Sequence, residues 1–332
     1  MVITRTPLRI SFFGGGTDYP AWYEENGGAV VSTSIDKYCY LSCRYLPQFF
    51  DHHSRIAYSK VELVKSRDEI QHPVVKKILH FMSVNDGIEI HNFDDLPARS
   101  GMGSSSSFTV GLLHALSVLK GGRPSREWLT LSAIHVEQNL LKENVGCQDQ
   151  AVAAFGGLNK ITFGGPEKIK VERIALDKEK SELFQNHLML FFTGHSRSAS
   201  EIAAEQIKNT PQKKSELHAM AKMVDESIAV LKGSDIDDFG KLLDETWRLK
   251  RSLSSKIATP LVDEIYEAGR GAGATGGKLL GAGGGGFVLF FAKPEYQEKI
   301  KVRLAKLLNI PFRFEGGGSQ VIYEQKKHTQ FV

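Results

Sequence analysis

The stretch Pro97-Ala98-Arg99-Ser100-Gly101-Met102-Gly103-Ser104-Ser105-Ser106-Ser107 decides how we expect this chain to fold. A strand is predicted before it, over 88–93, and apolar residues at helical spacing follow it until Gly121-Gly122. In the order strand, glycine–serine loop, helix, the helix start offers unpaired N–H groups, and the helix dipole favours an anion there. The stretch therefore predicts a phosphate-binding loop, although the same sequence is also compatible with a serine-rich helix cap that binds nothing.

The composition indicates an ordinary globular protein with a small-molecule ligand. The 332 residues suit two domains, and 41% hydrophobic and 24% charged residues give no sign of a fibrous or membrane chain. A net charge of +4 without a long basic run argues against a nucleic-acid partner. We see no apolar run of membrane-spanning length and no apolar core of a signal peptide, so we expect no membrane partner and a cytoplasmic location.

Glycine is clustered in two further places. Gly14-Gly15-Gly16 ends a predicted strand over 9–13 and presents Thr17 and Asp18, while Arg9 on that strand is expected to have a partner. Residues 281–286 form a glycine turn between two predicted strands. Just before it, Gly277-Lys278 resembles the end of a Walker A loop, but residue 272 is alanine and residue 279 is leucine where that pattern needs glycine and serine or threonine. The turn itself matches the spacing of the dinucleotide fingerprint, but it leads into a strand where that fingerprint needs a helix.

Two carboxylates flank a glycine turn later in the chain. Glu137 lies late in a predicted helix, and Asp149 follows Gly146 at the start of another. A helical glutamate is ordinarily solvated and an aspartate at a helix start is ordinarily a cap. Because both flank one turn, they could also converge on a single point.

The three glycine stretches, taken in this order and spacing, resemble the motifs of the GHMP kinases. The resemblance covers nearly the whole chain, with Arg99 and Ser106 standing where glycine and alanine are commonest. It implies an α+β fold, with a ribosomal-protein-like α/β domain over 1–187 and a ferredoxin-like domain over 188–332. ATP and a sugar substrate would bind in the cleft between the two domains.

The same resemblance implies roles for individual residues. Asp149 would take the proton of the acceptor hydroxyl, and Arg9 would offset phosphoryl charge or steer Asp149. Ser105 and Glu137 would hold Mg²⁺. The ATP phosphates would be bound by Pro97, Arg99, Ser100, Gly101, Met102, Gly103, Ser104, Ser105 and Ser106. The sugar would be bound by Thr17, Asp18, Gly283, Gly284 and Gly285.

Within the GHMP kinases, the chain is most similar to the D-glycero-D-manno-heptose 7-phosphate kinases. The similarity rests on the runs 9–20, 36–40, 96–108 and 193–200. It implies phosphorylation of the anomeric hydroxyl to the 1,7-bisphosphate, a step toward GDP-heptose. The 7-phosphate needs a cationic pocket, for which the candidates are Lys37, Arg44, His52, His53 and Arg197.

Three other functions stay open at this point: a kinase for another sugar such as fucose, an ATP-dependent decarboxylase of the mevalonate diphosphate type, and a non-catalytic sugar sensor. The sensor is disfavoured because Ser105, Glu137 and Asp149 are all present. The decarboxylase is disfavoured because the first motif is of the sugar type. The oligomeric state is undecided, and a homodimer is one option.

Overall fold

The computed structural model describes residues 1–47, 49–164, 169–194 and 199–325, and the structural statements below concern these residues. The strands are β1 (Val2–Phe13), β2 (Gly28–Tyr45), β3 (Ser54–Ala57), β4 (Val61–Val64), β5 (Ile88–Asp94), β6 (Asn159–Phe163), β7 (Ile169–Arg173), β8 (Leu188–Phe192), β9 (Gly276–Leu279), β10 (Phe287–Phe291), β11 (Leu308–Asn309) and β12 (Gln320–Glu324). The α-helices are α1 (Pro20–Asn26), α2 (Pro73–Phe81), α3 (Ser104–Leu119), α4 (Arg126–Ile134), α5 (Gln148–Phe155), α6 (Lys178–Asn186), α7 (Ala199–Asn209), α8 (Lys214–Lys232), α9 (Asp237–Ser252), α10 (Pro260–Gly271) and α11 (Pro294–Arg303).

The N-terminal half is a mixed sheet with helices packed against it. Its main path runs β12-β1-β2-β5-β3-β4, and β6 and β7 continue from the other part of the long strand β2. Only the pairing of β3 with β5 is parallel among the pairings in the described residues. Helix α3 packs on β1 and β2 and is buried on nearly all sides, which explains why its sequence is apolar almost all round.

The C-terminal half is an antiparallel sheet with the strand order β11-β8-β10-β9. Numbered within this half, that order is 4-1-3-2, and helices connect the first strand to the second and the third to the fourth. This is the ferredoxin-like arrangement. The predicted α+β fold with a ferredoxin-like second domain is therefore confirmed.

An aromatic cluster joins the two halves. Phe239 of α9 packs edge-on against Phe12 and Phe13 of β1, with ring centroids 5.5 and 5.1 Å apart, and also contacts Phe184 and Phe291. The last eight residues of β1 are all buried, because α3 covers that strand from the N-terminal half while α8 and α9 reach it from the C-terminal half. The end of β1 is consequently held rigidly beside the cleft between the halves.

Some predicted boundaries differ from the structure. The sequence predicts one strand over 56–64, but residues 58–60 turn and produce the hairpin of β3 and β4. It predicts two strands over 29–34 and 38–45, yet these are one long strand with register shifts against β1. Helix α11 ends at Arg303 although its pattern predicts 294–308. The domain boundary at 187 stays a prediction; the structure adds that β12 returns to pair with β1.

Candidate active site

Helix α3 begins at the glycine–serine loop and points its N-terminus into the cleft. Gly103 precedes the helix with φ +76°, a left-handed conformation that suits glycine, and the first intrahelical bond runs from Ser107 N–H to the Gly103 carbonyl. The N–H groups of Ser104, Ser105 and Ser106 therefore precede that ladder. These three residues line the cleft, so the loop presents unpaired donors to a ligand, as an anion site requires.

The third glycine stretch packs directly on this loop. A Cβ atom on Gly101 would lie 2.5 Å from the Leu280 carbonyl oxygen, and one on Gly281 would lie 2.4 Å from the Gly101 Cα. A Cβ on Gly286 would likewise lie 2.2 Å from the Ser100 carbonyl oxygen. These contacts are shorter than any side chain permits, so both loops need glycine in order to close the cleft.

Arg9 and Asp149 form the ion pair at the centre of the cleft. Arg9 Nε donates to Asp149 Oδ1 and Nη2 donates to Oδ2, both at 2.7 Å, and Nη1 donates to the Gly101 carbonyl at 2.5 Å. The Arg9 side chain is 6% exposed, whereas that of Asp149, at the start of α5, is 24% exposed. The arginine is thus a buried support, and the carboxylate is reachable from the cleft.

Asp18 lies beside this pair and also lines the cleft. It accepts hydrogen bonds from Gly16 N–H and from Gln148 Nε2, each at 3.0 Å. Burial raises the pKa of its carboxyl, and the nearby charge of Asp149 raises it further. The carboxylate is therefore positioned as a hydrogen-bonding group for a polar ligand.

Glu137 is fully buried on a π-helical segment, His135–Leu140, that follows α4. One of its oxygens accepts hydrogen bonds from Ser106 Oγ, at 2.9 Å, and from Gln150 Nε2, while the other oxygen has no hydrogen-bond partner among the described residues. Burial raises its pKa to about 7. The structure therefore brings Glu137 to Ser106, whereas the expected partner Ser105 lies next to it on the cleft surface.

Two lysines in the cleft were not identified from the sequence. Lys250 of α9 donates to the Gly281 carbonyl, and Lys278 of β9 donates to the Phe12 carbonyl at 2.8 Å. Burial lowers the pKa of Lys278 well below its usual range, and Lys250 and Arg9 lower it further. Lys278 could have been identified from the sequence, because a lysine on a fully buried strand is unusual. Lys250 gave no such signal, because it lies in the charged run Arg248-Leu249-Lys250-Arg251.

Other predicted ligand residues lie away from the cleft surface. Thr17 is buried, and its hydroxyl donates to the carbonyls of Gly14 and Ala29, so it braces the first glycine turn. Met102 is a core side chain whose carbonyl accepts from Arg9 N–H. The third loop lines the cleft through Gly281 and Ala282, and not through the predicted residues 283–285. Of the other residues predicted to bind the phosphates, Arg99 lines the cleft, whereas Pro97 and Ser100 do not.

The candidates for a distal phosphate pocket are also remote from the cleft lining. Arg44 is paired with Glu89 at 2.5 Å and Lys37 with Asp36 at 3.6 Å. His52 and His53 belong to the segment before β3, and His53 contacts the Ser54 hydroxyl. Arg197 lies outside the described residues. None of the four described candidates lines the cleft.

Comparison with known proteins agrees with this architecture. Residues 69–157 match the GHMP kinases N terminal domain, and residues 227–310 match the GHMP kinases C terminal. A D-glycero-alpha-D-manno-heptose 7-phosphate kinase of Campylobacter jejuni is 28% identical over 321 residues, covering 88% of this chain and 89% of that protein. An L-fucokinase/L-fucose-1-P guanylyltransferase of Bacteroides fragilis is 28% identical over 92% of this chain but only 36% of its own length.

Solved structures show the same fold. A D-glycero-D-manno-heptose 1-phosphate kinase from Bacteroides thetaiotaomicron superposes with a TM-score of 0.77 at 23% identity, covering 98% of this chain and 100% of that one. A Lactococcus lactis galactokinase complexed with galactose reaches a TM-score of 0.74 at 16% identity, covering 96% of this chain and 94% of that one. At these identities the likeness concerns the fold alone.

The matched domain models, one in each half, show that the chain belongs to the GHMP kinase family. It is an enzyme of a family whose members transfer a phosphoryl group from ATP. The family and the ATP cofactor predicted from the sequence are confirmed. As a separate finding, none of the helices in the described ranges has both the length and the apolar character that a membrane crossing needs.

Two glycine-to-alanine variants test the contact between the glycine loops. Gly101→Ala and Gly121→Ala both place alanine at a positive φ, +83° and +90°, which costs each about 1–2 kcal/mol of stability. Only the Gly101 variant places its Cβ against backbone atoms, since no atom of the described residues lies within 4 Å of a Cβ at Gly121. We expect Gly101→Ala alone to lose a further ~1–3 kcal/mol and to bind ATP more weakly. Chemical denaturation and ATP titration measure both, and equal losses in the two variants would refute the packing argument.

Proposed function

We propose that the protein phosphorylates the anomeric hydroxyl of D-glycero-D-manno-heptose 7-phosphate with ATP and releases the 1,7-bisphosphate. The family and its sugar-kinase members make the protein an ATP-dependent sugar kinase. The observation that carries the proposed chemistry is the Arg9–Asp149 pair beside the open N-terminus of α3. The heptose 7-phosphate kinase that matches over nearly the full length of both chains supports the choice of acceptor.

Asp149 is the general base of the proposed reaction. Its carboxylate takes the proton of the anomeric hydroxyl, while that oxygen forms a bond to the γ-phosphorus of ATP. The bond between the γ-phosphorus and the bridging oxygen breaks, and ADP leaves with the electron pair. Arg9 holds both carboxylate oxygens of Asp149, which fixes its orientation and keeps a positive charge beside the transferring group.

The loop before α3 binds the ATP phosphates. The N–H groups of Ser104, Ser105 and Ser106 point from the helix start, so they meet the triphosphate with the positive end of the helix dipole. Arg99, which lines the same cleft, adds a cation near them. Asp18 would hydrogen-bond the sugar hydroxyls, because it lies near Asp149 and lines the same cleft.

Mg²⁺ is the cofactor that the family implies, and the oxygen donors at the start of α3 and behind it fit the ion: Ser105 and Ser106 line the cleft, and Glu137 is buried against Ser106. The unpartnered buried oxygen of Glu137 is a hard ligand, the Ser106 hydroxyl contacts the other oxygen of the same carboxyl group, and Ser105 is the neighbour of Ser106 in the chain. We propose that Glu137 with these serines would hold the ion. When bound, Mg²⁺ neutralises charge on the phosphates of ATP. Among the described residues no cluster of three or more His, Cys, Asp or Glu side chains could hold a metal.

The substitution Asp149→Asn tests the general base. We expect turnover to fall by ~10²–10⁴-fold, because proton removal is lost while the side chain keeps its size. ATP binding should persist, since Asp149 belongs to the acceptor side of the cleft. Asp225→Asn is the control, as Asp225 is also ion-paired but its side chain is 73% exposed. Steady-state kinetics and ATP titration measure the two effects, and turnover within about threefold of wild type would remove Asp149 from this role.

The substitution Glu137→Gln tests the proposed ion site without relying on activity alone. In the presence of ATP, Mg²⁺ should raise the melting temperature of the wild type more than that of the variant, because a ligand stabilises the state that binds it. Activity should fall and recover in part at high Mg²⁺. Glu143→Gln, on the loop after the same π-helical segment, is the control. Identical Mg²⁺ responses in both variants would contradict the assignment.

The acceptor is tested by comparing kcat/KM for heptose 7-phosphate, free heptose, fucose and galactose. If the 7-phosphate is gripped, its binding energy positions the anomeric oxygen, so its removal should lower kcat as well as affinity. NMR of the product identifies the phosphorylated position. A tenfold or greater preference for a free sugar would overturn the heptose-phosphate assignment and leave the sugar kinase standing. ATP-dependent decarboxylation without a phosphorylated sugar would favour the decarboxylase, and binding without turnover the sensor.

A further inference from the structure

Lys250 reaches the centre of the cleft from the C-terminal half. It lies near the end of α9, only 6% of the residue is exposed, and its ammonium donates a hydrogen bond to the Gly281 carbonyl. It also lines the same cleft as Arg9 and Asp149. A cation from the second domain therefore meets the ion pair supplied by the first.

The charges around Lys250 do not balance without a ligand. The ionisable groups that line the cleft with it are Arg9, Asp18, Tyr19, Arg99, Asp149 and Lys278. Asp149 is occupied by two bonds from Arg9, and Asp18 accepts from Gly16 and Gln148. In the described part of the chain, no carboxylate forms an ion pair with Lys250.

A purely structural role explains this residue poorly. An ammonium has three donor hydrogens, and Lys250 uses one of them on the Gly281 carbonyl within the described residues. The other link between the halves at this place, from Lys278 to the Phe12 carbonyl, exists without it. Burying an ammonium without a counter-charge destabilises the protein, and unpaired buried cations of this kind are typical of sites that bind an anion.

We propose that Lys250 is a further catalytic residue, whose ammonium contacts the phosphoryl group during transfer and offsets the charge on its oxygens. This proposal rests on the proposed phosphoryl transfer in this cleft, although not on which sugar accepts it. The bonds that form and break are those given above, and Lys250 neither gains nor loses a proton in the step. The carboxylates of the cleft cannot stabilise the negative charge on the phosphoryl oxygens, because they are themselves negatively charged.

The protonation of Lys250 gives the proposal a signature. The pKa of Lys250 is lowered to about 8, first by burial and then by the charge of Arg9, while Asp18 and Asp149 oppose the shift. In the free enzyme the ammonium is therefore lost as the pH rises through about 8. A bound phosphate favours the charged form and raises this pKa. Consequently kcat/KM should fall on the alkaline side at a lower pH than kcat does.

The experiment compares Lys250→Met, Lys250→Arg and the wild type by pH-dependent kinetics with the best acceptor of the sugar panel. Lys241→Met is the control, because Lys241 lies on the same helix with its side chain 70% exposed. We expect Lys250→Met to lower kcat by ~10²–10³-fold. Lys250→Arg should retain part of the activity and lose the alkaline decline, since a guanidinium stays protonated in this range.

Three results would overturn the proposal. One is turnover of Lys250→Met within about threefold of wild type. Another is an alkaline decline in Lys250→Arg that is the same as in wild type. If thermal unfolding shows that neither variant folds, a wild-type kcat/KM that stays level from about pH 7.5 to 9 decides against it. Each of these leaves the kinase activity standing, whereas absence of ATP turnover with every sugar refutes the proposed function and this proposal together.

Discussion

The close approach of two glycine-rich loops is the constraint on which the active site depends. The loop before α3 belongs to the N-terminal half and the turn between β9 and β10 to the C-terminal half, yet Gly101 and Gly281 lie in backbone contact. No residue with a Cβ allows that distance. Because the contact joins the two halves here, the serines at the start of α3 line one cleft together with Lys250 and Lys278, and this cleft has donors from both halves. The aromatic packing around Phe239 holds the halves in this relation.

The cleft is also an electrostatic arrangement made for an anion. Arg9 is committed to Asp149, and within the described residues the side-chain amines of Lys250 and Lys278 have carbonyl partners and no carboxylate partner. A low-dielectric site strengthens every charge it contains, so surplus positive charge there is costly until a phosphate enters. The raised pKa of Glu137 and the lowered pKa of Lys250 have the same origin, which is burial. A bound cofactor and substrate would supply the opposite charges that these buried groups lack.

Sequence reasoning was most successful where local chemistry is decisive. A strand, a glycine–serine loop and an apolar helix follow one another in the chain, and their order alone places N–H groups at a helix start. Arg9 and Asp149 were also found, because each belongs to a stretch whose pattern is recognisable. The helix after 294 and the strands over 28–45 and 56–64 were misjudged at their ends. In each case a turn or a long-range pairing, which periodicity does not report, decided where the element stops.

By itself the sequence determined the family and the α+β fold, and it singled out the glycine–serine loop at a helix start and both residues of the central ion pair. Only the tertiary structure decided that Ser106 contacts Glu137, that Thr17 is a buried brace, and that Lys250 lies in the cleft. The physical reason is that a motif fixes short-range geometry, since neighbouring residues share one backbone. Whether a lysine in a charged helical run faces solvent or a ligand depends instead on how a distant strand and loop pack against that helix. The 137–149 segment, α9 and the glycine turn meet only in the folded chain.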